Sequence, residues 1–199
     1  MKNKRNFKNK TNLLLIGLLI LAISYIYIAI ARPFNFSPNS GQGSTAPVQS
    51  ALSAQFDFLS RNGNTNCSSS FTNSISSMPD DAYLRGSCCS PMNWDKYKEQ
   101  IGGLKKYSNI SQIPSDPYNI PVKLAKELLQ YNTTIVPTKE EQKILDDGAM
   151  GSEEKGFCCC KCWRWDVHEG LSKFLVRNYH FSSSQISEVL NLQDGCGGK

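Results

Sequence analysis

The sequence holds eight cysteines, and four of them fall within five consecutive positions. The other four occur as one adjacent pair and two single residues. The eight are Cys67, Cys88, Cys89, Cys158, Cys159, Cys160, Cys162 and Cys196. Cysteine sulfurs form disulfides, bind soft metal ions and take part in thiol–disulfide exchange. The cysteines therefore carry the clearest chemical signal in this chain.

A disulfide framework is one interpretation, because the number is even and the apolar N-terminal segment indicates export. Adjacent residues have Cα atoms about 3.8 Å apart, whereas disulfides usually need about 4.4–6.8 Å. Bonds between chain neighbours are therefore disfavoured. The natural arrangement pairs the 158–162 cluster outward with the other four cysteines, which would staple a loop, a helix and the C-terminal tail onto a central helix.

A site for a soft metal ion such as Cu(I) or Zn²⁺ is a second interpretation, and it is the function we predict. Cys158 and Cys162 share a face if a helix has begun at Cys158, and Cys88-Cys89-x-x-Met92 adds a thioether to two thiolates. The predicted ligands are Cys88, Cys89, Cys158, Cys159, Cys160 and Cys162, with Cys67, Cys196 and Met92 ranked below them. The spacing does not identify the metal, and His168 and His180 are weaker candidates.

Thiol–disulfide exchange is a third interpretation, carried by the C-x-x-C from Cys159 to Cys162. A thiolate at a helix N-terminus is stabilised by the helix dipole, and Lys161 adds a positive charge. The βαβ context of thioredoxin-like enzymes is missing. No C-x-x-C-H, G-x-S-x-G, H-E-x-x-H or phosphate-binding loop is present. We therefore predict no catalytic residue and leave open whether the protein is an enzyme, with a non-enzymatic role favoured.

The N-terminal segment predicts attachment to a membrane. Residues 13–31 are uncharged, and nineteen helical residues span roughly 28 Å, close to the hydrocarbon core of a bilayer. Residues 1–10 carry five Lys or Arg and no acid, so this end is predicted to stay in the cytoplasm. A cleaved signal peptide ending at Ala29-Ile30-Ala31 is the alternative. Either reading places the remainder outside the cytoplasm.

The predicted domains are a basic cytoplasmic tail at 1–10, a signal-anchor helix at 11–32, a flexible linker at 33–47 and a cysteine-rich extracytoplasmic domain at 48–199. Outside residues 1–10 the chain carries 17 basic and 17 acidic residues. That balance gives no electrostatic footprint for nucleic acid. The predicted partner is the membrane, through residues 13–31, and the sequence identifies no protein partner.

The outer domain is predicted to be all-α, a compact bundle of five or six helices without strands. Apolar residues at helical spacing mark a helix near 47–60 and a central helix at 157–178. Ser90-Pro91 resembles a helix start, and residues 61–80 resemble a loop. Thr138-x-x-Glu141 is a capping-box pattern, Pro121 opens another helix, and a last helix follows the serine run after Phe181.

Four motifs together resemble an uncharacterised prokaryotic family of membrane-anchored, cysteine-rich proteins. These motifs are Cys88-Cys89-Ser90-Pro91-Met92, Pro114-x-Asp116-Pro117-Tyr118, Cys158-Cys159-Cys160-x-Cys162-Trp163-Arg164 and Asp194-Gly195-Cys196-Gly197-Gly198. The resemblance covers about residues 67–199. It implies a prokaryotic, extracytoplasmic setting and supplies no activity.

Overall fold

The computed structural model describes residues 46–197, with side chains from residue 49 onward. Helices dominate this range, as the sequence predicts, and there are seven α-helices rather than five or six. They are α1 Ala46–Arg61, α2 Phe71–Ser77, α3 Trp94–Leu104, α4 Val122–Thr134, α5 Lys139–Gly151, α6 Trp163–Tyr179 and α7 Ser183–Leu192. The predicted tail (1–10), anchor (11–32) and linker (33–47), except its last two residues, lie outside the described range. Within 46–197, no helix has the length and apolar character needed to cross a membrane.

Two short strands make the prediction of a strandless domain wrong. Strand β1, Tyr83–Arg85, pairs antiparallel with β2, Asn119–Pro121. Leu84 lies opposite Ile120, and both side chains are buried. Three-residue strands are too short to show an alternating pattern, and their partners are far apart in sequence. This pairing fixes the chain directly before Cys88 and Cys89.

Local capping explains where several helices begin. Thr138 and Glu141 form the predicted capping box of α5, and Ser182 forms a second one for α7. The predicted start at Ser90-Pro91 is wrong, because Asn93 caps α3 by accepting hydrogen bonds from the backbone N–H groups of Asp95 and Lys96. The predicted loop at 61–80 contains the short helix α2, whose Phe71 and Ile75 are buried.

Helix α6 forms the centre of the main apolar core, but it begins at Trp163 and not at residue 157. Its buried face carries Trp163, Val167, Leu171 and Leu175. Helix α4 packs along α6, and α5 packs along α7. The segment before α6 is irregular, and Cys162 occupies the N-cap position without a capping hydrogen bond from its side chain. The core thus holds the cysteine-rich segment at one end of its central helix.

A second apolar cluster joins α1 to the rest of the domain. Leu59, Tyr97 and Tyr118 form its buried centre. The Tyr97 hydroxyl donates to the Asp116 carboxylate at 2.8 Å, and the same carboxylate accepts from the Tyr118 backbone N–H at 2.8 Å. The Pro114-x-Asp116-Pro117-Tyr118 motif is therefore a buried turn that anchors this cluster.

Candidate metal centre

All eight cysteines meet at the N-terminal end of α6, contributed by four separate segments. Hydrogen bonds between backbones join two of these segments, since Ser90 N–H donates to Cys196 O at 2.9 Å and Cys88 N–H donates to Gly195 O at 3.3 Å. The Ser90 hydroxyl also donates to Cys196 O, at 3.0 Å. The segment that follows β1 is thereby fastened to the C-terminal tail. Their cysteines face the 158–162 cluster.

One disulfide is present, between Cys67 and Cys89, with Cα atoms 5.9 Å apart. The predicted pairing of the 158–162 cluster with the other four cysteines is therefore wrong for these two residues, which bond to each other. The Thr65 hydroxyl, two residues before Cys67, donates to Arg85 O at 3.3 Å. The loop bearing Cys67 thus lies along β1. This brings Cys67 within reach of Cys89, four residues after the strand ends. The remaining six cysteines are free thiols.

The free thiols form a continuous group. Cys196 Sγ lies 3.1 Å from Cys158 Sγ and 3.2 Å from Cys159 Sγ. The sulfurs of Cys158, Cys159 and Cys160 all lie within 4.8 Å of one another. Cys196 and Cys158 are buried, whereas Cys159 is exposed. We call these four residues the free quartet. The sulfurs of residues 158–160 are close enough to bind one metal ion together, and Cys196 contacts two of the three.

Two further triplets of sulfurs lie within 4.8 Å, and both include a disulfide-bonded residue. One consists of Cys67, Cys89 and Cys160, and the other of Cys88, Cys89 and Cys196. Within the described part of the chain, the 158–160 triplet is the one made entirely of free thiols. This makes the free quartet the better candidate while the disulfide is formed.

Cys162 lies at the buried end of the cluster, as the cap of α6. The thiols of Cys158 and Cys88 donate hydrogen bonds to its sulfur and lower its pKa. The same contact with Cys162 raises the pKa of Cys158 and Cys88. Burial raises the pKa of Cys160 to about 12. These contacts favour the ionised form of Cys162, and the helix N-terminus also favours it.

Arg164 supplies a buried positive charge beside the sulfurs. Its side chain is 0% exposed. The guanidinium donates to Pro117 O at 2.8 Å and Gly86 O at 3.2 Å, and it lies 4.6 Å from the centre of the Trp163 ring. No carboxylate in residues 46–197 forms an ion pair with it. Its charge opposes the rise in the pKa of Cys88 that hydrogen bonding to Cys162 causes.

Asp194 and Lys96 position the tail cysteine, and neither was predicted. The Asp194 carboxylate accepts from the Cys196 backbone N–H at 3.0 Å and from Lys96 Nζ at 2.9 Å. Both the Asp194 and Cys196 side chains are buried. An Asp side chain that accepts from the backbone N–H two residues later forms an Asx turn. The Asp194-Gly195 pair was therefore the available signal in the sequence.

The candidates that are not cysteines make other contacts. Met92 packs in the second apolar cluster, and its sulfur accepts a hydrogen bond from the Ser60 hydroxyl at 3.6 Å. His168 is buried, with Nδ1 2.6 Å from Phe157 O. His180 takes a left-handed conformation, with φ 54°, at the end of α6. The centre described by the structure is therefore made of sulfur from cysteine alone.

Comparisons with known proteins find no matching family model, no matching curated protein and no matching solved structure. The function is consequently inferred from the site geometry and the sequence. Together they describe a cysteine-rich domain with one disulfide and a cluster of free thiols able to hold a metal ion.

Proposed function

We propose that this is a membrane-anchored extracytoplasmic protein that binds one soft metal ion, of the Cu(I) or Zn²⁺ class, through the free quartet. Residues 11–32 would hold it in the membrane, residues 1–10 would remain in the cytoplasm, and the cysteine-rich domain would lie outside. The topology rests on the charge and hydropathy of the N-terminal segment. The metal site rests on the geometry of the sulfurs.

The distances among the free thiols carry the proposal. A Zn–S bond is about 2.3 Å, so two sulfurs of a tetrahedral centre lie about 3.8 Å apart. Cys159 and Cys160 have sulfurs 3.9 Å apart. Cys196 is closer to its neighbours, at 3.1 and 3.2 Å. The 158–160 triplet lies within 4.8 Å, and side-chain rotation at Cys196 would add the fourth sulfur.

The buried guanidinium of Arg164 supports thiolate ligands. A buried charge is costly unless an opposite charge or strong hydrogen bonds compensate it. Two carbonyl oxygens accept from Arg164, but no carboxylate of the described residues pairs with it. A Zn²⁺ or Cu(I) ion bound by four thiolates carries a net negative charge of two or more. Such a centre would supply the anion that this buried cation lacks.

The donor chemistry selects the class of metal. All four donors of the free quartet are sulfur, which is a soft ligand and favours Cu(I) and Zn²⁺ over Mg²⁺ or Ca²⁺. Hydrogen bonds from Cys158 and Cys88 lower the pKa of Cys162.

A stapled interaction module is the alternative function, and the Cys67–Cys89 disulfide favours it. In that case the remaining thiols would also become oxidised after export. The Cys158–Cys196 and Cys159–Cys196 contacts mark where a second bond would form. The two functions differ in the number of disulfides and in metal content.

Native mass spectrometry tests the proposal. The full-length protein would be exported in cells, purified in a mild detergent without reductant or chelator, and weighed intact. Each disulfide removes about 2 Da through loss of two hydrogens, and each metal adds its own mass. We expect one bound ion and one disulfide. A metal-free protein with four disulfides would contradict the proposal and establish the stapled module.

Matched variants locate the site. Cys196→Ser removes a sulfur from the free quartet and should abolish metal binding. Met92→Leu removes a sulfur that lies in the second apolar cluster, so the ion should be retained. Equal loss of metal in both variants, or retention in both, would contradict the assignment to the quartet.

A further inference from the structure

The disulfide lies against free thiols on the exposed side of the cluster. Cys89 Sγ is 3.8 Å from Cys159 Sγ and 4.0 Å from Cys160 Sγ. Cys159 is exposed to solvent. A thiolate that contacts a disulfide sulfur is placed to displace its partner and form a new disulfide. The reacting groups of such an exchange are therefore already assembled within this chain.

We propose that Cys159 exchanges with the Cys67–Cys89 disulfide, so that the domain interconverts between two disulfide isomers. The Cys159 thiolate attacks Cys89 Sγ, the Cys89–Cys159 bond forms, and the Cys67–Cys89 bond breaks. Cys67 leaves as a thiolate and takes up the proton that Cys159 lost. One disulfide is present before and after, so the step needs no oxidant or reductant. It goes beyond the metal-binding proposal and does not rest on it.

The position of Cys160 explains why Cys159 is the attacking residue. Displacement at sulfur requires the incoming sulfur to lie along the extension of the bond that breaks. Cys160 Sγ lies within 4.8 Å of both sulfurs of the disulfide, which places it beside this bond. Cys159 contacts Cys89 at 3.8 Å. The Cys88 sulfur is nearer, at 3.6 Å, but a disulfide between adjacent residues is disfavoured because their Cα atoms lie only about 3.8 Å apart. Cys160→Ser is therefore a matched control for Cys159→Ser.

The group that would leave has a partner in place. Cys67 Sγ lies 3.1 Å from Cys88 O, so the released thiol can donate to this carbonyl once it is protonated. The exchange would also remove Cys159 from the free quartet. Metal binding at the quartet and the Cys89–Cys159 disulfide would then exclude each other, because both use the same sulfur.

Disulfide mapping tests this exchange. The exported full-length protein would be stripped of metal, incubated at pH 8 without added thiol or oxidant, quenched in acid at intervals and digested for mass spectrometry. Exchange proceeds at this pH because the thiolate is the attacking species. We expect peptides linked through Cys89–Cys159 to accumulate, while Cys67 becomes reactive towards a maleimide.

Two cysteine variants test which thiol attacks the disulfide. Cys160→Ser should show the same two isomers as the wild type, and Cys159→Ser should keep Cys67–Cys89 alone with Cys67 unreactive. Far-UV circular dichroism of each variant would establish that it is folded. Wild-type protein that retains only Cys67–Cys89 at every interval would overturn the proposal, as would maleimide labelling of Cys67 in Cys159→Ser. Neither result depends on whether the metal site exists.

Discussion

Replacement of Gly170 by alanine would disturb the contact that holds α6, and with it the cysteine-rich segment. Gly170 lies where α6 passes α4. A Cβ at this position would lie 1.9 Å from Leu128 O and 2.9 Å from Asn132 N, both backbone atoms. Ordinary contact with a Cβ begins near 3.4 Å. The two helices would have to move apart by more than an ångström, because backbone cannot rotate away as a side chain can.

The expected cost follows from this geometry. Over-packing usually destabilises a core by about 1–3 kcal/mol and sometimes by more. Contact with backbone on a neighbouring helix places Gly170→Ala at the upper end, near 3 kcal/mol. For a domain of this size the melting temperature should fall by about 6–12 °C. Thermal unfolding of the oxidised full-length protein, followed by far-UV circular dichroism, measures the change.

Gly102 offers the matched control. It is also helical, in α3, and a Cβ there would meet nothing within 4 Å. Alanine at an exposed helical position should stabilise the protein by about 0.5–1 kcal/mol through helix propensity. The two substitutions should therefore have opposite signs. A Gly170→Ala protein that melts at the wild-type temperature would refute the close approach of α4 and α6.

Three further predictions concern charge and metal. Arg164→Met keeps an unbranched chain but removes the buried cation, so metal content after dialysis should fall below that of the wild type, as measured by elemental analysis. Arg177 lowers the pKa of Glu141 from its ordinary value of 4.5 to about 2. The ion pair therefore contributes its full stability above about pH 4.5, and this contribution is lost as the pH falls towards 2. Glu141→Gln should accordingly lose less stability than the wild type between those two pH values. An unchanged dependence of stability on pH in this range would contradict the prediction. Removal of metal by a chelator should lower the melting temperature in wild type, and Cys196→Ser should show no such shift.

The helices that could be predicted are those with local signals. Thr138 and Glu141 form reciprocal capping hydrogen bonds within four residues, so the capping box can be predicted directly from the sequence. Ser90-Pro91 carries a similar local signal but fails, because the Ser90 hydroxyl donates to Cys196 O, more than a hundred residues away. Strands β1 and β2 fail for the same reason, since each depends on a distant partner. Tertiary contacts override local preference at these positions.

In the cysteine site, too, local features could be predicted and tertiary contacts could not. Residue type and spacing identify the cysteines, and the structure brings all eight together at one end of α6. The pair that is oxidised could not be predicted, because Cys67 is brought to Cys89 by the path of a loop along β1. The complete burial of Arg164 could not be predicted either. Its role depends on burial and on the carbonyls of Pro117 and Gly86, which belong to distant segments.

The C-terminal motif shows how one short segment serves both the fold and the metal centre. Asp194 accepts from the Cys196 backbone and from Lys96, which fixes the turn. A Cβ on Gly195 would lie 2.2 Å from the Arg164 guanidinium, so glycine leaves the space that the buried cation occupies. Gly197 has φ 101°, and a Cβ there would meet Ser90 O at 2.1 Å. Docking of the tail and placement of Cys196 therefore depend on the same contacts, and the free quartet can exist only when the tail is docked.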